Sequence, residues 1–222
     1  MTKAIATKSA ARRGRVGGRS QFQEDQRRRS RAAILAAAAE IFAKTPYVYS
    51  TIEDIIAAAG VGRATFYVHF ESKLSLAISI YESIAEDWLV LFDRLTALPR
   101  QDPARMGDWI RTMARLYVDH GYVTPLVAQL EIFEEGFRIR LREDRDFLIK
   151  RLAKAGIPAF AAVLSEKDGS FLRRVRAHLL LRRIDQVCGE LMHVEAKTKA
   201  EADAYVMVLA DEMCAFFGDK ES

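Results

Sequence analysis

The sequence predicts an all-α chain, built as a small N-terminal helical domain followed by a larger helical one. Three observations carry that expectation. Apolar residues recur at three-, four- and seven-residue spacing along most of the chain, and no segment reads convincingly as a strand. Only 12 glycines and 5 prolines punctuate 222 residues, and several of them mark breaks between the periodic stretches. Half the residues are apolar and 29% are charged, a balance that lets a chain of this length bury a real core. No apolar run approaches a membrane span and the N-terminus lacks the apolar centre of a secretion signal, so a cytoplasmic location is expected. Cys188 and Cys214 form no CxxC pair, and reduced thiols are expected at both.

Residues 1–22 hold Gly14, Gly17, Gly18 and scattered arginines with almost no large apolar residue, the composition of a disordered basic arm. A first domain is expected over 23–72. From about Glu24 a helix buries Ile34, Leu35, Ala38, Ile41 and Phe42, and Thr45-Pro46 ends it. Ser50 with Glu53 three residues on predicts a capping box for a short helix burying Ile52, Ile55, Ile56 and Ala59. Gly60 stops that helix, Val61-Gly62 turns the chain, and Arg63 opens a second short helix to His69 or Phe70. A long helix over 73–98 connects to the body, so that the second domain is expected over 73–222. Its further helices read near 103–119, 123–135, 137–155, 158–166, 170–194 and 199–217, with breaks at Gly121, Gly136, Gly156-Ile157-Pro158 and Asp168-Gly169.

Charge is unevenly shared. Residues 1–31 carry ten basic side chains against Glu24 and Asp25, while the remainder is mildly acidic. A basic end on an acidic body points to a polyanion at that end. Residues 50–70 have the layout of a helix–turn–helix. With Phe66 turned inward, Phe70 follows it at 40°, while Ala64 and Val68 fall on the opposite side and Thr65 and Tyr67 on the flanks. Small, methyl-bearing and hydroxyl side chains on an outward face suit a major groove, where they meet thymine methyls and base-edge acceptors.

The run AGVGRATFYVHFESKLSL, preceded by STIEDIIAA, resembles the DNA-binding domain of TetR-family transcriptional regulators over about residues 27–80. The resemblance implies that Arg63, Ala64, Thr65 and Val68 face bases and that Thr51, Tyr67, His69 and Lys73 hold phosphates. Two positions depart from the family pattern. Gly62 stands where a serine is usual, and Leu74 where an acidic residue is common, which leaves the start of the long helix without its usual cap.

The body offers two candidate surfaces. The last helix is apolar on every side, and with the preceding one it supplies Leu180, Ile184, Val187, Leu191, Tyr205, Val208 and Phe216, the expected four-helix interface of a homodimer. Trp109, Met113 and Tyr117 at i, i+4, i+8 join Trp88, Leu130, Phe133 and Phe137 as expected walls of a pocket for an apolar or aromatic effector. His120, His178 and His193 lack the spacing of a metal site, and no cofactor is expected. No nucleophile–base pair or phosphate loop supports an enzyme. The expected function is a ligand-responsive repressor that binds a pseudo-palindromic operator as a homodimer. The alternative is an architectural or constitutive DNA binder without an effector.

Overall fold

The computed structural model describes residues 16–99, 102–164, 170–192 and 198–218. Most of the expected basic arm, residues 1–15, and His193 lie outside the described residues. Among the described residues all regular structure is helical. The N-terminal part holds α1 (Val16–Lys44), α2 (Ile52–Ala59) and α3 (Arg63–His69), and α4 (Lys73–Arg94) follows. Beyond it come α5 (Pro103–Asp119), α6 (Val123–Phe133), α7 (Glu135–Lys154), the one-turn α8 (Pro158–Ala161), α9 (Ser170–Met192) and α10 (Lys199–Gly218).

The helix ends show why the chain breaks where it does. Thr51 caps α2: its hydroxyl accepts from the Asp54 N–H at 3.1 Å, and the Asp54 carboxylate accepts from the Thr51 N–H at 3.0 Å. The expected box of Ser50 and Glu53 is therefore displaced by one residue. Ser50 is buried and its hydroxyl donates to the Tyr47 carbonyl at 2.8 Å, which closes the turn before the helix instead. Gly60 ends α2 at φ 64°, a left-handed conformation that glycine adopts without a Cβ penalty. For α4 the missing acid at Leu74 is replaced by a hydroxyl pair. Ser72 accepts from the Ser75 N–H, and the Ser75 hydroxyl accepts from the Ser72 N–H, each at 3.0 Å. Asp102 caps α5 by a single bond, accepting from the Arg105 N–H at 3.1 Å, with Pro103 in the first turn.

Helix α1 begins earlier than the apolar pattern suggests, at Val16 rather than near Glu24. Among its residues from 21 onward, the first buried one is Ile34. Once that packed stretch exists, each further residue toward the N-terminus adds a backbone bond to a formed nucleus, and Gln, Glu and Arg are good propagators.

Two buried cores run through the protein, and they do not divide at the 72/73 boundary. One gathers Ile34, Phe42, Ile55, Phe66 and Phe70 from the N-terminal helices, passes through Leu76, Ile80 and Ile84 of α4, and continues to Val123, Leu126 and Leu130 of α6 and Phe137 and Leu141 of α7. The other joins Leu91 and Phe92 at the end of α4 to α5, the C-terminal half of α7, and helices α8 to α10. Helix α10 lies tightly on α5, where Gly107 leaves room: a Cβ there would sit 3.3 Å from a methyl of Val206. No helix among the described residues is long and apolar enough to cross a membrane.

Candidate nucleic-acid interface and ligand cavity

Helices α2 and α3 cross around Ile55 and Phe66, both fully buried, and this packing fixes which side of α3 faces outward. Ala64, Tyr67 and Val68 are exposed there, Val68 to 58%, and Thr65 is half-buried beside them. The outward side of α3 is thus short, methyl-bearing and hydroxyl-bearing. Arg63, at the first turn of α3, is exposed, paired with Glu53 of α2, and lies 5.7 Å over the Tyr67 ring. An ion pair this open to water holds its partners weakly, so the guanidinium can exchange Glu53 for another acceptor at small cost.

The flanking polar groups are each tied to the protein in a definite manner. His69 contacts the Ser30 hydroxyl of α1 at 2.7 Å, and burial, with Arg27 and Arg31 nearby, lowers its pKa and favours a neutral ring. Thr51 is exposed but engaged in its cap. Lys73 turns back onto the loop before α2. Its ammonium donates to the carbonyls of Tyr47 at 2.6 Å and Ser50 at 2.8 Å, and sits 4.2 Å over the Tyr47 ring. Burial lowers its pKa, opposed by the charge of Glu134.

The sequence reading missed Tyr47. Its hydroxyl donates to Glu134 at the α6–α7 corner at 2.8 Å, across 87 residues of sequence. Burial and the Glu134 carboxylate push its pKa up, which keeps the phenol a donor. Glu134, Tyr47 and Lys73 thus join the body to the loop that starts the helix–turn–helix.

The family profile described as bacterial regulatory proteins of the tetR family matches residues 34–80, which run from the buried part of α1 through the helix–turn–helix into α4. Residues 34–80, with the helix–turn–helix at their centre, are thus of the tetR-family type. An HTH-type transcriptional regulator encoded in the lacX 3′ region of Lactococcus lactis subsp. lactis is 24% identical over 164 residues, covering 65% of this chain and 83% of that one. Among solved structures, a TetR-family transcriptional regulator from Syntrophomonas wolfei superposes with a TM-score of 0.61 at 19% identity, over 84% of this chain and 95% of the other. FadR from Bacillus subtilis, in complex with stearoyl-CoA, gives 0.57 at 16% identity, over 86% and 99%. NalD, the secondary repressor of the MexAB-OprM multidrug efflux pump in Pseudomonas aeruginosa, gives 0.55 at 21% identity, over 87% and 97%. At these identities the structures establish a shared fold.

A cavity of about 1160 Å³ lies between α4, α5, α6, α7, α9 and the end of α10. Of the expected wall residues, Trp88, Met113 and Tyr117 line it. The others sit elsewhere. Trp109 is packed behind the wall, its indole N–H donating to the Leu91 carbonyl at 2.8 Å and its ring 5.4 Å from Phe92. Leu130 and Phe137 fill the core shared with α1–α3, because α6 and the start of α7 pack toward α4. Phe133, at the end of α6, is 61% exposed. The sequence reading left out Tyr81 and Leu148, and also the charged groups Asp144, Arg145 and Asp185, whose sequence separation gives no sign that they meet.

The residues expected at a dimer interface divide in the same way. Leu180, Ile184, Val187 and Leu191 are buried within their own chain, on the side of α9 that packs against α5 and α10. Tyr205 is half-buried against the same core. Phe216 borders the cavity and packs 5.3 Å from Phe160. Val208 alone of the set is exposed, at 49%, and Leu179 and Met207 are exposed with it. Both cysteines are free, and burial raises both thiol pKa values, Cys188 far more strongly. Among the described residues no group of side chains has the makings of a metal site.

Proposed function

We propose that this TetR-family regulator is a homodimeric repressor that holds a pseudo-palindromic operator and releases it when a small apolar or aromatic molecule fills the cavity. The observation that carries the reading is the outward face of α3, with Ala64, Tyr67 and Val68 exposed and Arg63 loosely held at its first turn. In this reading Arg63, Ala64, Thr65 and Val68 meet base edges, and Thr51, Tyr67 and His69 meet phosphates. Lys73 reaches a phosphate by leaving the two carbonyls, and otherwise holds the α1–α2 loop in place. The domain division is residues 1–22 as a basic arm, 23–72 as the reading head and 73–222 as the effector and dimer body, with α4 joining them.

One recognition helix of seven residues touches too few bases to select a site, so two must be held at a fixed spacing. The surface that suits a second subunit is the outer side of α10 around Met207 and Val208, both exposed in one chain. The repressor NalD and the stearoyl-CoA complex of FadR, which share the fold, support a repressor with a ligand in its body. Release follows if the occupied cavity favours a head spacing that no longer matches the half-sites.

Binding of Arg63→Ala and Thr65→Ala to the operator and to random DNA tests the reading. A loss of about 1–3 kcal/mol on the operator alone, with relaxed preference at one or two base pairs per half-site, supports it. An equal loss on both DNAs removes the reading role. Sedimentation of Val208→Asp tests the interface: a helical monomer without operator binding supports it, and a stable dimer refutes it.

A further inference from the structure

Five carboxylates and five arginines border the cavity. Most of them pair with one another, Arg182 with Glu131 at 3.4 Å among them. Arg140 pairs with Glu82 at 2.9 Å and with Asp144 at 3.2 Å, and Arg183 pairs with Glu212 at 3.2 Å. The pair between α7 and α9 is different. Arg145 donates to one oxygen of Asp185 at 3.3 Å, and the Tyr117 hydroxyl donates to the other at 2.7 Å. The Arg145 side chain is only 15% exposed, whereas that of Asp185 is 48% exposed. Both line the cavity, and of the two charges the negative one is the more open to an incoming molecule. A carboxylate has about four lone-pair sites, and Tyr117 and Arg145 use one apiece.

The surroundings reinforce that polarity. Tyr117 belongs to a row of rings, its centroid 5.7 Å from Trp88, which in turn lies 5.9 Å from Tyr81. All three rings line the cavity. Aromatic faces attract cations, most strongly where water is displaced. Burial pushes the pKa of Asp185 up in spite of the Tyr117 and Arg145 hydrogen bonds, with Glu131 adding to the rise, and a cation placed beside the carboxylate would favour its charged form. An anionic guest would meet that carboxylate directly, and a neutral one would leave its charge as it is.

We propose that the cavity selects a lipophilic organic cation, with its positive centre between Asp185 and the Tyr117–Trp88 rings and its apolar bulk against Phe92 and Met113. The proposal rests on the reading of this cavity as the effector site. Asp185 sets the sign of the charge, and the rings set the preference for a diffuse cation over a small hydrated one.

Tetraphenylphosphonium and tetraphenylborate, nearly equal in size and opposite in charge, test this on the full-length protein by calorimetry and by quenching of tryptophan emission. The cation is expected to bind the wild-type chain at least about tenfold more tightly than the anion. Asp185→Asn, checked for helix content by circular dichroism, should lower that preference by about tenfold and leave tetraphenylborate as weak or slightly stronger. The wild-type comparison keeps its force even if the variant does not fold. Equal binding of the two ions, preference for tetraphenylborate, or a cation affinity unmoved by Asp185→Asn overturns the charge selection while leaving the cavity a ligand site. Failure of both ions to bind overturns the charge selection and the effector-site reading together.

Discussion

In the reading head, helices of seven and eight residues are too short to persist alone, and their ends are fixed by identified groups: Thr51 with Asp54, Gly60 in the left-handed region, and the buried rings of Phe66 and Phe70. In the body, helices of 17 to 23 residues such as α5, α7 and α9 bury long apolar faces and still leave a cavity of about 1160 Å³ among them. The head is a small construction in which each contact fixes the position of the next. The body spreads its stability over many contacts and tolerates a void. A surface that must present a few side chains to DNA within a fraction of an ångström needs the first arrangement, and a chamber that admits a guest needs the second.

Core truncation should separate the two most sharply. Phe66→Ala should cost about 3–5 kcal/mol in urea unfolding and abolish operator binding, since the fully buried ring is what α2 and α3 share. Met113→Ala, buried in the body core beside the cavity, should cost less, about 2 kcal/mol, and keep operator binding, because it lies outside the head. A reversed order of the two losses would contradict the contrast between head and body.

Backbone conformation comes next. Gly60→Ala forces a Cβ into the left-handed region at φ 64° and should lower stability by about 1–2 kcal/mol, read as a lower melting temperature. The link between the regions is expected to matter less for stability than for response. Tyr47→Phe removes only the hydrogen bond to Glu134, at about 0.5–1.5 kcal/mol. Operator affinity should stay within a few-fold, while the fraction of operator released by a saturating effector should fall. Unchanged release would mean that the corner carries no signal. The smallest effect is a gain. Gly62 caps α3 without a side chain at an ordinary φ of −79°, and a Cβ there meets nothing within 4 Å. Gly62→Ser should therefore stabilise the head by a few tenths of a kcal/mol.

The sequence was most informative where a structural feature depends on neighbours in the chain. Gly60, Thr45-Pro46 and the i, i+3, i+4 apolar spacing place most helices within a few residues, because turns and amphipathic faces are local properties. Within that local range the difference between Ser50 and Thr51 as cap was lost, since both can accept and only burial of Ser50 decides between them. Contacts between distant segments left no such trace. Tyr47 meets Glu134 across 87 residues, and Arg145 meets Asp185 across 40, with nothing in either spacing to announce the pair. The apolar excess of α9 and α10 was legible, but not which face was spare: Leu180 and Ile184 look inward while Leu179 and Val208 look outward. Periodicity gives the angle between two side chains on a helix, and only the neighbouring helices give the direction from which it is measured.

Helix α4 has its first half embedded in the core that holds the head and its last turns embedded in the core of the body. Trp88 lies between those stretches, packs against both cores and forms part of the cavity wall. A rod clamped at both ends turns most readily about the stretch where the two clamps meet. That stretch contains an indole whose buried N–H has no hydrogen-bond partner. In the proposed release Trp88 would be the fulcrum of a lever about 33 Å long, at roughly 1.5 Å of rise for each of the 22 residues of α4. A few degrees of rotation there would move the far end by an ångström or more, so the proposed release would need no large rearrangement around the cavity.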